Sequence, residues 1–231
     1  MHRYFFTTKD SFINSGSNSI TGEDFKDKNT GQDEILELKK VFADRTFSYQ
    51  TRVLLQFDAD EIESYISSSV LPNDYQLNLR LYETEGTSGL SEEYTIAAYP
   101  LSQSWDEGVG KEGDVPKTVD GCSWAYSKNN QGVEVKWNAY SSSISSSIDE
   151  SDNTINTNLT FTSSFIDSVG ISEGSYIQAD ETTQVFSAES PDLNMDITTL
   201  ANKWFGGVNN NYGIMLRLSG SRETSSTSFE D

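Results

Sequence analysis

The sequence predicts an all-β chain folded as an antiparallel sandwich or barrel, and three observations carry that expectation. First, runs with an apolar residue at every second position recur along the 231 residues. In YQLNLRLYET the alternation puts Leu77, Leu79 and Leu81 on one face of a pleated strand. Second, the segments between runs are rich in Gly, Asn, Ser and Asp, and no strand-helix unit repeats, so turns rather than crossover helices join the strands. Third, aromatic residues make up 12% of the chain, with 11 Tyr, 12 Phe and 4 Trp, too many for a disordered segment of the same polarity. Strands with one apolar and one wet face are the expected building block.

In chain order the strand-like runs are RYFFTTKDSFI, EILELKKV, RVLLQFD, YQLNLRLYET, EYTIAAYPL, VEVKWNAY, TNLTFTSSF, TTQVFSA and YGIMLRLSG. Two short helices interrupt them. After Asp60 the stretch EIESYISSSV sets Ile62, Tyr65 and Ile66 on one face and stops before Pro72, so it reads as a single or double turn. From Asp196 to Gly206, Ile197, Leu200, Ala201 and Trp204 follow the i, i+3, i+4, i+7 spacing, with Gly206 placed to end the helix. That segment is expected to cap one end of the core. The stretch SSSISSSIDESD, from Ser141 to Asp152, reads either as a linker between two domains or as a surface excursion. Neither flank alone holds enough apolar strands to close a sandwich, so one domain over residues 1–231 with an excursion near 141–153 is the expected organisation.

Sixteen Lys and Arg against 36 Asp and Glu leave a formal charge of −20. A groove that tracks phosphates must release counterions with basic side chains, so nucleic-acid binding is not expected. An anionic membrane surface is disfavoured on the same ground, and no run approaches the roughly 18 apolar residues of a spanning helix, so no membrane insertion is expected. The start, MHRYFFTTKDSF, lacks the long apolar region of a secretory signal. Cys122 is the only cysteine, so no intrachain disulfide forms, and with a single histidine no Cys/His zinc site can be assembled. Cys122 reads as a small buried apolar side chain.

Catalytic chemistry finds little support in the residue inventory. His2 is the one histidine and offers no base for a Ser-His-Asp triad, and no phosphate-cradling GxxxxGK[ST] or strand-borne GxGxxG motif occurs. Asp106 with Glu107 and Glu92 with Glu93 are adjacent carboxylates, but neighbours on a strand point to opposite faces and make no facing dyad by themselves. Calcium needs only oxygen ligands. The run Asp27-Lys28-Asn29-Thr30-Gly31-Gln32-Asp33 has the alternating character of a cation loop, so Asp27, Asn29 and Asp33 are the candidate ligands, although the EF-hand order is not met. The residues from Asp149 to Asn153 form a second acidic cluster. Trp105, Trp124 and Trp137 are candidates for stacking on sugar rings, against the simpler role of filling the core; Trp204 fits a helix face turned inward.

Several stretches together resemble the DNRLRE domain, a disaggregatase-related family of β-sandwich modules. RVLLQFDADEI is similar to its strand with Phe-Asp, QLNLRLYET to its Leu-Arg-Leu-Tyr strand, AAYPLSQSWDEG to its Trp-Asp-Glu corner, and SWAY to the segment that follows. MDITTLANKWFGGVNNNYGIMLRL resembles its late helical turn, Trp, Asn-Tyr-Gly and returning strand, so the ordered matches span residues 52 to 218. FFTTKDSFIN and NTGQDEILELKKV resemble a variant of this module met in tailed-phage virion proteins. The resemblance implies a jelly-roll-like sandwich with a structural corner at Phe57, Asp58, Trp105, Asp106, Glu107 and Trp204. In it Trp105 packs inward while Asp106 and Glu107 hold turn amides or a cation. The family continues past a corner like Ser228-Phe229-Glu230 into further sheet, which implies that the last strands lie beyond Asp231 or come from another chain.

Three readings of function follow. The first is a non-enzymatic structural protein of a tailed-phage virion, in tail, baseplate or neck. It would be made in the host cytoplasm without a signal peptide, repeated or homo-oligomeric among other virion proteins, and free of cofactors unless calcium is held. The second is a carbohydrate-binding module for a polysaccharide such as a host-surface glycan. The third, a polysaccharide-degrading enzyme, rests on generic carboxylates alone.

Overall fold

The computed structural model describes residues 2–16, 24–43, 47–69, 74–84, 93–138, 147–148, 155–156, 171, 173–187, 192–219 and 229–230. They form an all-β, antiparallel, sandwich-like fold with two short α-helices. The central sheet contains β1 (Thr7–Asn14), β2 (Lys39–Ala43), β3 (Phe47–Phe57), β5 (Tyr94–Pro100), β10 (Thr182–Phe186), β12 (Ile214–Leu218) and β13 (Phe229–Glu230). Its order is β10-β5-β12-β3-β2-β13, with β1 also paired to β3. The long β3 has three partners: Phe47 to Gln50 pair with β2, Thr51 to Phe57 with β1, and Val53 to Leu55 with β12. Three smaller pairs accompany it: β4 (Asn78–Leu81) with β11 (Leu193–Asp196), β6 (Tyr126–Asn130) with β7 (Val133–Lys136), and β8 (Ser147–Ile148) with β9 (Ile155–Asn156).

Alternation along the central strands sends successive side chains to opposite faces. Phe12, Val53, Leu55, Ile96, Ala98, Ile214 and Leu216 enter one buried cluster, while Ile13, Leu54, Ala97, Tyr99 and Met215 enter another. The first cluster is closed by β4, β11 and α2, through Leu79, Leu193, Met195, Leu200, Ala201 and Trp204. The second is closed by Leu101, Trp105, Cys122, Trp124, Trp137, Ile171 and Tyr176. The expected wet face is therefore absent from the middle of the sheet. Leu54, Ala97 and Met215 are each 0% exposed because an irregular layer covers the side that alternation alone assigns to water.

The second helix matches its sequence pattern, whereas the first runs for 11 residues, longer than the single or double turn expected. α1 (Ala59–Ser69) follows β3 directly, and Asp58 starts it by accepting the Glu61 amide on Oδ1 at 3.0 Å, as an N-cap carboxylate does. Phe57 packs against the first cluster, so the Phe57-Asp58 pair closes the strand and opens the helix. α2 (Thr198–Phe205) buries Leu200, Ala201 and Trp204. Gly206 is the C-cap in helical geometry, and the left-handed residue that turns the chain is Gly207, at φ +65°. Of the expected strands, TNLTFTSSF lies outside the described residues, as does most of the Ser-rich stretch apart from the β8 and β9 ends.

Candidate functional site

The residues that the sequence marks for chemistry converge on the second face of the sheet, where two loops, residues 24–38 and 101–125, close over it. Asn29 is the pin. It is 0% exposed, and its amide Nδ2 donates to the carbonyls of Glu107 (2.7 Å) and Cys122 (2.8 Å). Its Oδ1 accepts the Gly110 amide at 2.8 Å and the Gly31 amide at 3.2 Å, while its own N–H donates to the Thr118 carbonyl at 2.9 Å. A side chain clasped this closely needs glycine around it. A Cβ on Gly108 (φ +85°) would lie 2.4 Å from Asn29 Oδ1, and one on Gly121 (φ +117°) would lie 2.5 Å from Nδ2.

The Trp-Asp-Glu corner is built into the same clasp. Trp105 is 1% exposed, and its indole N–H donates to the Tyr212 carbonyl at 2.8 Å. Lys9 reaches across from β1, donating to the Trp105 carbonyl at 3.1 Å with its ammonium 5.7 Å from the ring centre. Glu107 Oε1 accepts the Asp10 amide at 2.9 Å, tying the corner to β1, and Asp106 pairs with Lys128 of β6 at 3.4 Å. The two adjacent carboxylates thus serve different partners and form no dyad. The Asp106 carbonyl accepts the Cys122 amide at 2.6 Å. Full burial pushes the Cys122 thiol up to about 12, which leaves it protonated and unreactive at neutral pH.

The candidate calcium ligands are each engaged separately. Asp27 pairs with Lys117 at 2.6 Å, Asn29 is occupied by main-chain groups, and Asp33 Oδ2 accepts the Glu112 amide at 2.8 Å. Asp33 and Glu112 carry carboxyls raised above their ordinary values, chiefly by burial and, in both, by the nearby Glu37. Asp114 is lowered by the Lys111 amide and the Thr118 hydroxyl. Among the described residues no group of three or more His, Cys, Asp and Glu side chains is placed to hold a metal ion. The second acidic cluster, Asp149 to Asn153, lies outside the described residues, as does Glu92.

The three candidate sugar platforms lie in the interior. Trp124 is 7% exposed and Trp137 5%, with the Trp137 indole donating to the Ser123 carbonyl at 2.8 Å; Arg52 covers Trp124, its guanidinium carbon 4.9 Å from the ring centre. Their rings fill the second cluster instead of facing solvent, because the loops that carry them fold onto Leu54, Ala97 and Met215. Trp204 belongs to the other face, beneath α2. Its indole N–H is buried without a hydrogen-bond acceptor.

An exposed feature of a different kind lies at that first face. Residues 2–6, α1, β4 and α2 enclose a cleft of about 440 Å³. Tyr4, Phe6 and Tyr82 stand at its mouth, 63%, 84% and 64% exposed, and the Arg80 guanidinium lies 5.5 Å from the Tyr82 ring centre. Arg3 contacts the rings of Phe5 and Tyr65 and sits 3.7 Å from Glu61. Sequence reasoning missed this cleft, although its signal was present: the alternation that buries Leu79 turns Arg80 outward with Tyr82. Comparison with known proteins adds nothing to this geometry, since no family model, curated protein or solved structure matches the chain.

Proposed function

We propose that the chain is a non-enzymatic assembly module of a tailed-phage particle, placed in tail, baseplate or neck. The observation that supports it best is the use made of the Trp-Asp-Glu corner: Asn29 ties the two loops to each other, Glu107 and Asp106 tie them to β1 and β6, and Trp105 ties them to Tyr212. A corner committed in this way builds a rigid shape and leaves no pair of carboxylates for glycoside chemistry. The resemblance of residues 52 to 218 to the DNRLRE domain, and of the N-terminal stretches to its tailed-phage virion variant, supplies the setting, and the charge of −20 suits docking on a basic neighbour. The carbohydrate-binding alternative loses Trp105, Trp124 and Trp137 to the interior.

Peptide mass spectrometry on density-purified particles, with unassembled lysate as control, tests the reading. Enrichment at a fixed ratio to the major structural proteins is the expected result. Absence from particles overturns it.

A further inference from the structure

We propose that the aromatic cleft between residues 2–6, α1 and β4 is a docking face for a second copy of this chain. The first argument is charge. In a chain with 36 acidic and 16 basic residues, the described residues that line the cleft include Arg3 and Arg80 and no Asp or Glu. The lining is thus opposite in sign to the net charge of the chain, so the partner it fits is acidic.

The second argument is that the acidic partner surface lies beside it. The α1 segment exposes Asp58, Asp60, Glu61 and Glu63, and Glu61 is 3.7 Å from Arg3, which puts the acidic helix at the rim of the basic cleft. A two-fold axis through that rim lays the α1 acids of each copy over Arg80 of the other. This is the self-complementary arrangement of an isologous dimer, in which each contact occurs twice. Tyr4, Phe6 and Tyr82 supply the apolar centre, and aromatic residues and Arg are the types enriched in such interfaces. Two copies at −20 repel over most orientations, so the pairing geometry is selected where opposite signs meet twice, once in each direction.

The inference deepens the assembly reading and rests on it only for the biological use of the dimer. Sedimentation of the full chain over a wide concentration range is expected to show a monomer-dimer equilibrium. Arg80→Glu weakens it by roughly tenfold or more, and so does Glu61→Lys with Glu63→Lys, because each variant meets like charge in its own homodimer. Mixing the two variants restores the dimer, since each then meets its opposite. Circular dichroism and melting curves of these surface variants control for folding. A chain that stays monomeric overturns the proposal, as does a dimer that neither variant weakens or that the mixture fails to restore. Retention of an acidic oligosaccharide by a monomeric chain, lost on Arg80→Glu, overturns it in favour of a glycan site. A chain present in particles but monomeric in solution sinks the docking face alone, and a dimer absent from particles sinks the particle reading alone.

Discussion

The sheet face under α2 is closed mainly by aliphatic side chains that need no partner, whereas the opposite face is closed largely by loops whose polar groups each need one. On the α2 side Leu79, Leu193, Met195 and Leu200 meet Val53, Leu55, Ile96 and Ile214, and what stabilises the layer is area removed from water. On the other side Trp105, Trp137 and Asn29 arrive on irregular loops whose buried amides and carbonyls must be satisfied one by one. An apolar layer tolerates a change of volume by partial relaxation. A hydrogen-bonded layer does not, because a removed partner leaves several groups stranded at once.

That contrast makes Asn29→Ala the most damaging single change expected in the molecule. It strands the carbonyls of Glu107 and Cys122 and the amides of Gly110 and Gly31, and at about 1–3 kcal/mol for each unsatisfied buried group the loss reaches roughly 4 kcal/mol or more. Urea unfolding followed by tryptophan fluorescence measures it directly, since three of the four tryptophans lie in that layer. On the α2 side Leu200→Ala, a cavity mutation at a residue 2% exposed, is expected to cost about 3 kcal/mol. Should Leu200→Ala prove the worse of the two, the distinction between the faces fails.

A matched pair of substitutions sharpens the comparison. Trp105→Phe and Trp204→Phe remove the same atoms, but the Trp105 indole N–H donates to the Tyr212 carbonyl whereas the Trp204 N–H is buried without an acceptor. The first therefore loses a hydrogen bond as well as volume, and the second sheds an unsatisfied donor. Trp105→Phe is expected to be worse by about 1 kcal/mol, read as the difference between the two denaturation midpoints at a common slope. Equal costs would mean that packing alone governs both sites.

The same contrast explains what the sequence made legible. The central strands, α1 and α2 could be read because their evidence is local: alternation in RVLLQFD and YGIMLRLSG, the i, i+3, i+4, i+7 spacing of Ile197, Leu200, Ala201 and Trp204. The clasp was not legible, because Asn29 finds its acceptors 78 and 93 residues away and nothing in NTGQD names them. The oxygen-rich run that reads as a cation loop supplies Asn29 as a plug, and glycines of the facing loop, Gly108 and Gly121, make room for its amide. Trp124 and Trp137 misled in the same way: their flanks are polar, so they look like surface residues until the loop folds over. For β6 and β11 the polar stretches YSKNN and LNMD carry too few apolar positions to announce a strand, and each is fixed by its partner strand.

The smallest expected effect concerns the acids at the edge of the clasp. Asp33 and Glu112 have folded values above their ordinary ones, so at a given pH in that window the folded chain holds protons that the unfolded chain has released. Stability from this pair therefore increases as pH falls from neutral toward the ordinary glutamate value of 4.5, and is lost as pH rises through the folded values. Asp180 and Asp196, lowered by the Lys203 ammonium and the Thr198 hydroxyl, work in the opposite sense and withdraw support only as pH falls below 3.8. Glu112→Gln keeps the side-chain shape while removing a charge that both Glu37 and Asp33 oppose. The variant is expected to gain slightly over the wild type at neutral pH, by less than the difference between the two Trp substitutions, and to match it near pH 4.5. Comparing urea midpoints of both chains at those two pH values isolates this pair from the general repulsion of a −20 chain, because that background is nearly common to both. A gain that persists unchanged at the lower pH would assign the effect to the Gln side chain rather than to the charge that burial and the neighbouring Glu37 and Asp33 oppose.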